Sequence, residues 1–514
     1  MVSFPPQLGL HLMDLAPRAG GACGAVGGGE VAGGGEDRSC GPVVDGLPRR
    51  IRLPGIVQTL WYVLGVESFL ELAIKRYESE GMITFGISGI GDVVSVFDPR
   101  LIREIFTGDS DVLRGGEANS QVLAGRVGPN NPFLLDGERH LRARRLLLPP
   151  FHGEAIAHHE QMVERIATSA VEGWPVGQEF ALWPRMRAIT MQVILHAVIG
   201  VRNEERRQRL ARLLPAFARG GLFGALAELR LPWLTHGAVG RRMPWVKERA
   251  EATRLLFEEI AERRARPEGR EDILAMLVAA RDEQGRGLTD EELFDTVLPL
   301  LGAGHDTTAA VLTWCFELVT RHPDVVERCR TAIAENDREY LTAVINETLR
   351  MRPVTDAVAR KLSAPLELGG YRLPAGTFVA ASIRGVQYLP GVWPDPHSFR
   401  PERLLERPVA PYTLIPFGGG DRRCIGASFA TMEIRTILAT VLQQVELQSA
   451  KSRPERPTRL RGVAIVPARG TRVVARRRAT SEKGQTTVDA IRQTGFSPVR
   501  VPSRDAVPSS DLRS

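Results

Sequence analysis

The sequence predicts a mainly α-helical fold with small β-sheets, and three observations carry that prediction. Helical periodicity of apolar residues dominates the stretch 47–477. Strand-like pieces are short and local. One helix, starting at a capping signal near Thr289, is long enough to cross a whole domain.

The chain has 514 residues, 43% of them hydrophobic, enough for a sizeable core. Residues 1–46 are Gly-rich, with Gly-Gly-Gly twice between Gly27 and Gly35, and show no period; they are expected to be a disordered extension. Residues 478–514, polar and rich in Ser, Thr and Arg, are expected to be a disordered tail. Between them, 47–477 reads as one domain, with no internal repeat and no Pro/Gly/Ser linker.

Within it, Met82–Ile87 and Val93–Phe97 alternate as a hairpin. Gly137 to Arg145 reads as a helix that places His140 and Arg144 on one face. Thr289, with Glu292 three residues on, starts the long helix, and apolar residues recur at Leu293, Val297, Leu301, Val311, Leu312, Cys315 and Leu318. The pattern stops just before His322-Pro323. About 32 residues at 1.5 Å each give on the order of 48 Å. Pro299 removes one N–H and is expected to bend this helix. Leu366 to Leu373 reads as a second hairpin around Gly369-Gly370, and Phe378–Ile383 as a strand.

Net charge is +7, compatible with nucleic acid, a membrane surface or an acidic protein partner. Aromatic content of 6% and no interleaving of basic with aromatic residues disfavour nucleic acid. No run of about 18 apolar residues supplies a transmembrane helix, and the first residues lack a secretory pattern. Five cysteines, an odd and sparse set, fit a reducing compartment and a cytoplasmic location. Cys315 and Cys329 lie in apolar helical patterns and are expected to be buried.

The middle of the long helix is Leu301-Gly302-Ala303-Gly304-His305-Asp306-Thr307-Thr308. Two interior glycines each cost roughly 1 kcal/mol relative to Ala, and would clear space for a flat ligand. Asp306 and Thr307 are an acid and an alcohol suited to relaying protons. The bland alternative is a threonine bonded to the carbonyl four residues back. His305 has no second ligand suitably spaced.

The most specific run is Phe417-Gly418-Gly419-Gly420-Asp421-Arg422-Arg423-Cys424-Ile425-Gly426. Its glycines allow tight turns and close backbone approach. Two arginines before Cys424 are expected to favour thiolate over thiol. The run lacks the Gly-Lys-Ser/Thr ending of a P-loop and the Gly-x-Gly-x-x-Gly spacing of a dinucleotide fold. Phe-x-x-Gly-x-Arg-x-Cys-x-Gly resembles the heme-binding loop of the cytochrome P450 family.

That resemblance covers roughly residues 47–477 and implies the family's α-rich fold, with heme b (iron protoporphyrin IX) between the long helix and the Cys loop. It implies that Cys424 is the axial ligand of the heme iron, that Phe417 belongs to the cofactor loop, and that Asp306 and Thr307 are the distal acid and alcohol. Glu347 and Arg350, one turn apart, match the family's Glu-x-x-Arg. With Arg403 of Pro-Glu-Arg they would form a buried structural triad. His140 and Arg144, Arg360 and Arg422 match positions that contact the heme propionates. Ala303, Val354 and Val358 would line the substrate pocket.

The implied activity is a heme-thiolate monooxygenase acting on a small apolar, lipid-, steroid- or terpene-like substrate. Electrons would come from NAD(P)H through a reductase and an acidic ferredoxin or flavodoxin, steered by Arg139, Arg142, Arg145 and Arg423. The alternatives are a peroxide-driven or rearranging heme-thiolate enzyme and a non-catalytic heme-binding sensor. Lack of an N-terminal anchor and the run Pro-Pro-Phe-His-Gly (149–153) resemble soluble actinobacterial members. Two departures stand out. The segment between His322-Pro323 and Glu347 is short, which puts a peripheral helix in doubt, and Gln387 stands where many relatives have a histidine.

Overall fold

The apolar pattern sorts the chain into two packed assemblies, one of helices and one built on a small sheet. The computed structural model describes residues 43–123, 127–217, 244–266, 269–458 and 464–478. It begins with strand β1 (Val44–Asp45), helices α1 (Gly55–Leu64) and α2 (Val66–Tyr77), and the hairpin β2 (Met82–Ile87) and β3 (Gly91–Val96). Next come α3 (Pro99–Thr107), β4 (Leu113–Arg114), α4 (Gly115–Leu123), α5 (Gly137–Leu147), α6 (Glu154–Glu172), β5 (Glu179–Ala181) and α7 (Leu182–Ile194). The middle of the chain is helical: α8 (Glu204–Leu213), α9 (Pro244–Ala265), α10 (Ile273–Ala279), α11 (Asp290–Val319), α12 (Pro323–Glu335) and α13 (Arg338–Met351). Strands β6 (Ala357–Leu362), β7 (Leu366–Leu368), β8 (Tyr371–Leu373) and β9 (Phe378–Ser382) follow, then short helices α14 (Ile383–Gln387) and α15 (Arg403–Glu406). Helix α16 (Ala427–Gln444) and strands β10 (Val445–Ser449), β11 (Pro457–Thr458), β12 (Val466–Pro467) and β13 (Arg472–Arg477) complete the described chain.

Alternating residues make the sheets as expected. Strands β2 and β3 pair antiparallel, with Met82 opposite Val96. Parallel pairing of β3 with β9 and antiparallel pairing of β9 with β6 extend this into a five-stranded sheet of order β2-β3-β9-β6-β4. The second hairpin forms at Gly369 and Gly370, both at positive φ, where a side chain would be strained. Strand β1 lies inside the stretch 1–46 expected to be disordered, yet Val44 and Asp45 pair with Tyr371 and Arg372. The rest of that extension and residues 479–514 lie outside the described residues.

Helix α11 begins as its sequence dictates. The Glu292 N–H donates to Thr289 Oγ1 at 3.1 Å, and the Thr289 N–H donates to Glu292 Oε2 at 2.9 Å. Its 30 residues run on through Pro299 and span about 45 Å. It packs along α7 and touches α13 and α16, so its midpoint lies deep in the helical core. Only Asn336 and Asp337 separate α12 from α13, which leaves no room for a further helix there. Cys315 and Cys329 are buried, and burial pushes the Cys315 thiol up to about 12. No single helix among the described residues is long and apolar enough to cross a membrane.

Candidate active site

The Cys loop is shaped by its glycines. Gly418 and Gly420 adopt positive φ, and a Cβ on Gly420 would stand 2.1 Å from the Phe106 carbonyl oxygen of α3. Glycine is required there by conformation and by contact. The turn closes when the Cys424 N–H donates to the Phe417 carbonyl at 2.9 Å. Phe417 itself is half-buried and packs against the helical core.

Cys424 is the accessible cysteine among the described residues. Protein atoms nonetheless crowd its sulfur. Burial pushes the thiol up, against the Gly426 N–H and the charges of Arg423 and Arg144, which pull it down. The expected preference for thiolate is therefore not reached by the loop alone, because desolvation outweighs the cations. A coordinated metal ion would supply the missing stabilisation. Arg422 contributes little to the sulfur because its guanidinium is turned to Asp136 (Nη2 to Oδ1, 2.5 Å) and to the Leu135 carbonyl.

The cations expected around a dicarboxylate ligand converge, but not as the sequence suggested. Asp136 accepts from the Gly116 and Glu117 N–H groups at 2.8 Å each, at the start of α4, and so locks Arg422 to that helix. Arg144 donates to the Arg423 carbonyl at 2.8 Å and holds the loop from the α5 side. His140 is buried with Nδ1 3.2 Å from the Pro132 carbonyl oxygen and Nε2 3.3 Å from that of Asp421. Burial and the Arg422 charge push its imidazole down. A neutral imidazole has one N–H and donates to one of these two carbonyls, so the expected face shared with Arg144 serves the loop. Arg360 is the exception. It is 5% exposed and makes no ion pair among the described residues; its hydrogen bond goes to the neighbouring Ala359 carbonyl. Burial and the charge of Arg422 depress its guanidinium to about 10. A buried cation left this way lacks a carboxylate partner.

On α11, residues around the midpoint are buried except at Gly302 and Ala303, which are exposed, and Gly304 and Thr307, which are half-buried. A Cβ on Gly302 would meet nothing within 4 Å, whereas one on Gly304 would stand 2.5 Å from Ile194 Cδ1 of α7. One glycine thus faces open space and the other serves helix packing; the sequence assigned both to the ligand. Thr307 Oγ1 donates to the Ala303 carbonyl at 2.5 Å, the local bond that the bland alternative describes. Asp306 points into α7, where Arg187 Nε donates to its Oδ1 at 2.7 Å and His305 Nε2 lies 3.2 Å away. Burial alone would push the Asp306 carboxyl up, but the His305 hydrogen bond and the charges of His305 and Arg187 outweigh it and hold it below the usual range. Nothing in the local sequence marks Arg187, which lies 119 positions away.

Glu347 and Arg350 are both fully buried and form a two-pronged pair, Nε to Oε2 at 2.8 Å and Nη2 to Oε1 at 2.9 Å. Arg403 Nε reaches Glu347 Oε1 at 3.1 Å, completing the three-member contact. Arg350 Nη1 also donates to the Gln387 and Pro396 carbonyls. Gln387 is itself buried: its Nε2 donates to the Leu349 and Arg350 carbonyls, and its Oε1 accepts from the Ile415 N–H. It ties the end of α13 to the approach to the Cys loop. Of the expected pocket residues, Ala303 is exposed, and Val358 lies 3.5 Å from where a Cβ on Gly418 would stand. Val354 is packed into the helical core, with its carbonyl accepting from the Ile465 N–H.

The expected cationic surface is thinner than the sequence implied. Arg142 is paired with Asp282 and Glu292, and Arg145 with Glu138. Arg139 and Arg423 remain exposed without an ion pair among the described residues.

These residues suit a ligand with a carboxylate and a soft metal: an unpaired buried cation, open space at Gly302, and an accessible thiol on the loop. The family model for Cytochrome P450 matches residues 54–473. Putative cytochrome P450 135B1 of Mycobacterium tuberculosis is 41% identical over 449 residues, 86% of this chain and 93% of that protein. Putative cytochrome P450 137 of the same species is 38% identical over 416 residues, 80% of this chain and 86% of that protein. The solved structure of retinoic acid bound cyanobacterial CYP120A1 superposes with a TM-score of 0.72 at 24% identity, covering 86% of this chain and all of that one. The family match defines a heme protein of the oxidoreductase class. The chain belongs to the cytochrome P450 family; its cofactor is heme b, and its general activity is that of a heme-thiolate monooxygenase.

Proposed function

We propose that Cys424 is the axial thiolate and that the protein inserts one atom of O₂ into an apolar, lipid-, steroid- or terpene-like substrate. Electrons come from NAD(P)H in the cytoplasm through a reductase and a ferredoxin or flavodoxin. The observation that carries this reading is the accessible Cys424 thiol on a glycine-built loop, set among protein atoms while the other two described cysteines are buried. When bound, heme supplies the chemistry of oxygen activation, with the thiolate pushing electron density toward O–O cleavage.

The chain's own residues would do the rest. Arg360, with Arg422 and Arg144 nearby, would neutralise the two carboxylates. Glu347, Arg350 and Arg403 would hold the wall behind the loop. Asp306 would take up a proton at its carboxylate and pass it to Thr307 Oγ1 as that hydroxyl releases its own proton into the site, after leaving the Ala303 carbonyl. Gly302, Ala303 and Val358 would leave room for an apolar substrate. Arg139 and Arg423 would meet the acidic electron carrier.

Reduced wild-type protein with carbon monoxide should show the thiolate-type absorption band. Cys424→His should move that band to the imidazole type. An imidazole-type band in the wild type would refute the assignment. Turnover with surrogate ferredoxin, its reductase and NADPH separates a monooxygenase from a peroxide-driven enzyme and from a sensor.

A further inference from the structure

Helix α1 exposes an apolar patch although it buries part of its polar surface. Its two polar side chains point inward. Gln58 is fully buried, donating to the Ile51 and Leu53 carbonyls at 3.2 and 2.6 Å and accepting from the Gly86 N–H at 2.9 Å. Thr59 Oγ1 donates to the Gly55 carbonyl and accepts from the Ser88 N–H at 2.8 Å. Three apolar side chains point outward, with Ile56 63% exposed, Leu60 50% and Val57 exposed between them, while Trp61 and Tyr62 pack against the sheet core. Gly55–Leu64 contains no charged residue. Single exposed apolar residues are ordinary on a protein surface. Three on one turn of an uncharged helix, whose polar groups are consumed beneath, form a patch that water does not favour.

Cations flank this patch. Arg50 borders Gly86 beside the first residue of α1, and it stays mostly exposed while paired with Asp92. Arg52, two residues before the Pro54 cap, is exposed and makes no ion pair among the described residues. Ten residues span about 15 Å, half of the roughly 30 Å hydrocarbon core, so α1 can lie in a bilayer interface but cannot cross it. One face of so short a helix also offers far less than the roughly 800 Å² per partner that a stable protein interface buries. A fluid lipid surface has no such requirement, because it moulds around a small wedge.

We propose that α1 docks the protein on a phospholipid surface carrying anionic headgroups. Ile56, Val57 and Leu60 enter the acyl boundary, and Arg52 meets the headgroup phosphates.

The test uses the full-length, heme-loaded protein in vesicle flotation, with phosphatidylcholine vesicles and with vesicles that also contain phosphatidylglycerol. The wild type should float with the phosphatidylglycerol vesicles. Ile56→Ser with Leu60→Ser should weaken that binding about tenfold or more, while its carbon monoxide band stays unchanged and so reports an intact fold. Arg52→Glu should weaken binding to the anionic vesicles about fivefold and leave pure phosphatidylcholine unaffected. A wild type that floats with neither vesicle overturns the proposal, as does a double variant that floats like the wild type. A double variant that instead turns a dimer into a monomer in sedimentation assigns the patch to a second copy and also overturns it.

Discussion

The two sides of the cleft are built on different terms. On the Cys-loop side, Glu347, Arg350, Arg403 and Gln387 are buried and their polar atoms are spent on one another or on backbone carbonyls. On the α11 side, Asp306 is held from behind by Arg187, Thr307 bonds within its own helix, and Gly302 faces empty space. The first side is a fixed wall whose charges cannot move without heavy cost. The second keeps its acid and alcohol on contacts that can be exchanged. A site that must hold a cofactor permanently and deliver protons repeatedly is expected to divide the labour this way.

The contrast can be broken most severely at Glu347. Glu347→Ala leaves two buried guanidinium groups without their carboxylate, at a cost of roughly 3–5 kcal/mol. The purified protein should be largely heme-free, which the ratio of heme absorbance to protein will show; normal heme content would remove Glu347 from the wall. Gln387→Leu should come next. It strands the Leu349 and Arg350 carbonyls and the Ile415 N–H, each unsatisfied group costing about 1–3 kcal/mol. A clear fall in the urea midpoint is expected, and an unchanged midpoint would mean that water replaces the amide.

Arg187→Ala probes the exchangeable side. Removing this cation takes away one of the groups that lower the Asp306 carboxyl, while burial, which raises it, remains. The proton is then bound at higher pH, so the limb of kcat/KM governed by Asp306 should shift to higher pH at little cost in heme content. A pH profile that matches the wild type would separate Arg187 from Asp306. The smallest effects should come from the two glycines. Gly302→Ala, pointing into open space, should gain up to about 1 kcal/mol in helix stability yet perturb ligand binding in spectral titrations. Gly304→Ala sets the same gain against overpacking of roughly 1–3 kcal/mol at Ile194. Thermal melts that rank the two in the opposite order would exchange their assignments.

Local patterns were legible. The capping box at Thr289 and Glu292, the hairpin glycines at 369 and 370, and the Cys loop each depend on residues a few positions apart, and the structure contains all three. The Glu347–Arg350 pair was within reach through the family resemblance, because its one-turn spacing alone also fits a solvated surface pair. What stayed hidden was aim. The sequence supplied His140, Arg144, Arg360 and Arg422 as cations but could not say which would be claimed by backbone or by Asp136, because that depends on how α5, β6 and the loop meet. Arg187 and Gln387 carry no local signal, since their partners belong to distant segments. Gly302 and Gly304 are identical in sequence terms and differ only in what stands opposite them.

Asp136 has a mechanical consequence. One carboxylate caps two N–H groups of α4 and grips Arg422 beside the cysteine. Three stretches of backbone are thus pinned by a single rivet. Removing that one carboxylate would deprive the start of α4 and the cysteine loop of their shared anchor together.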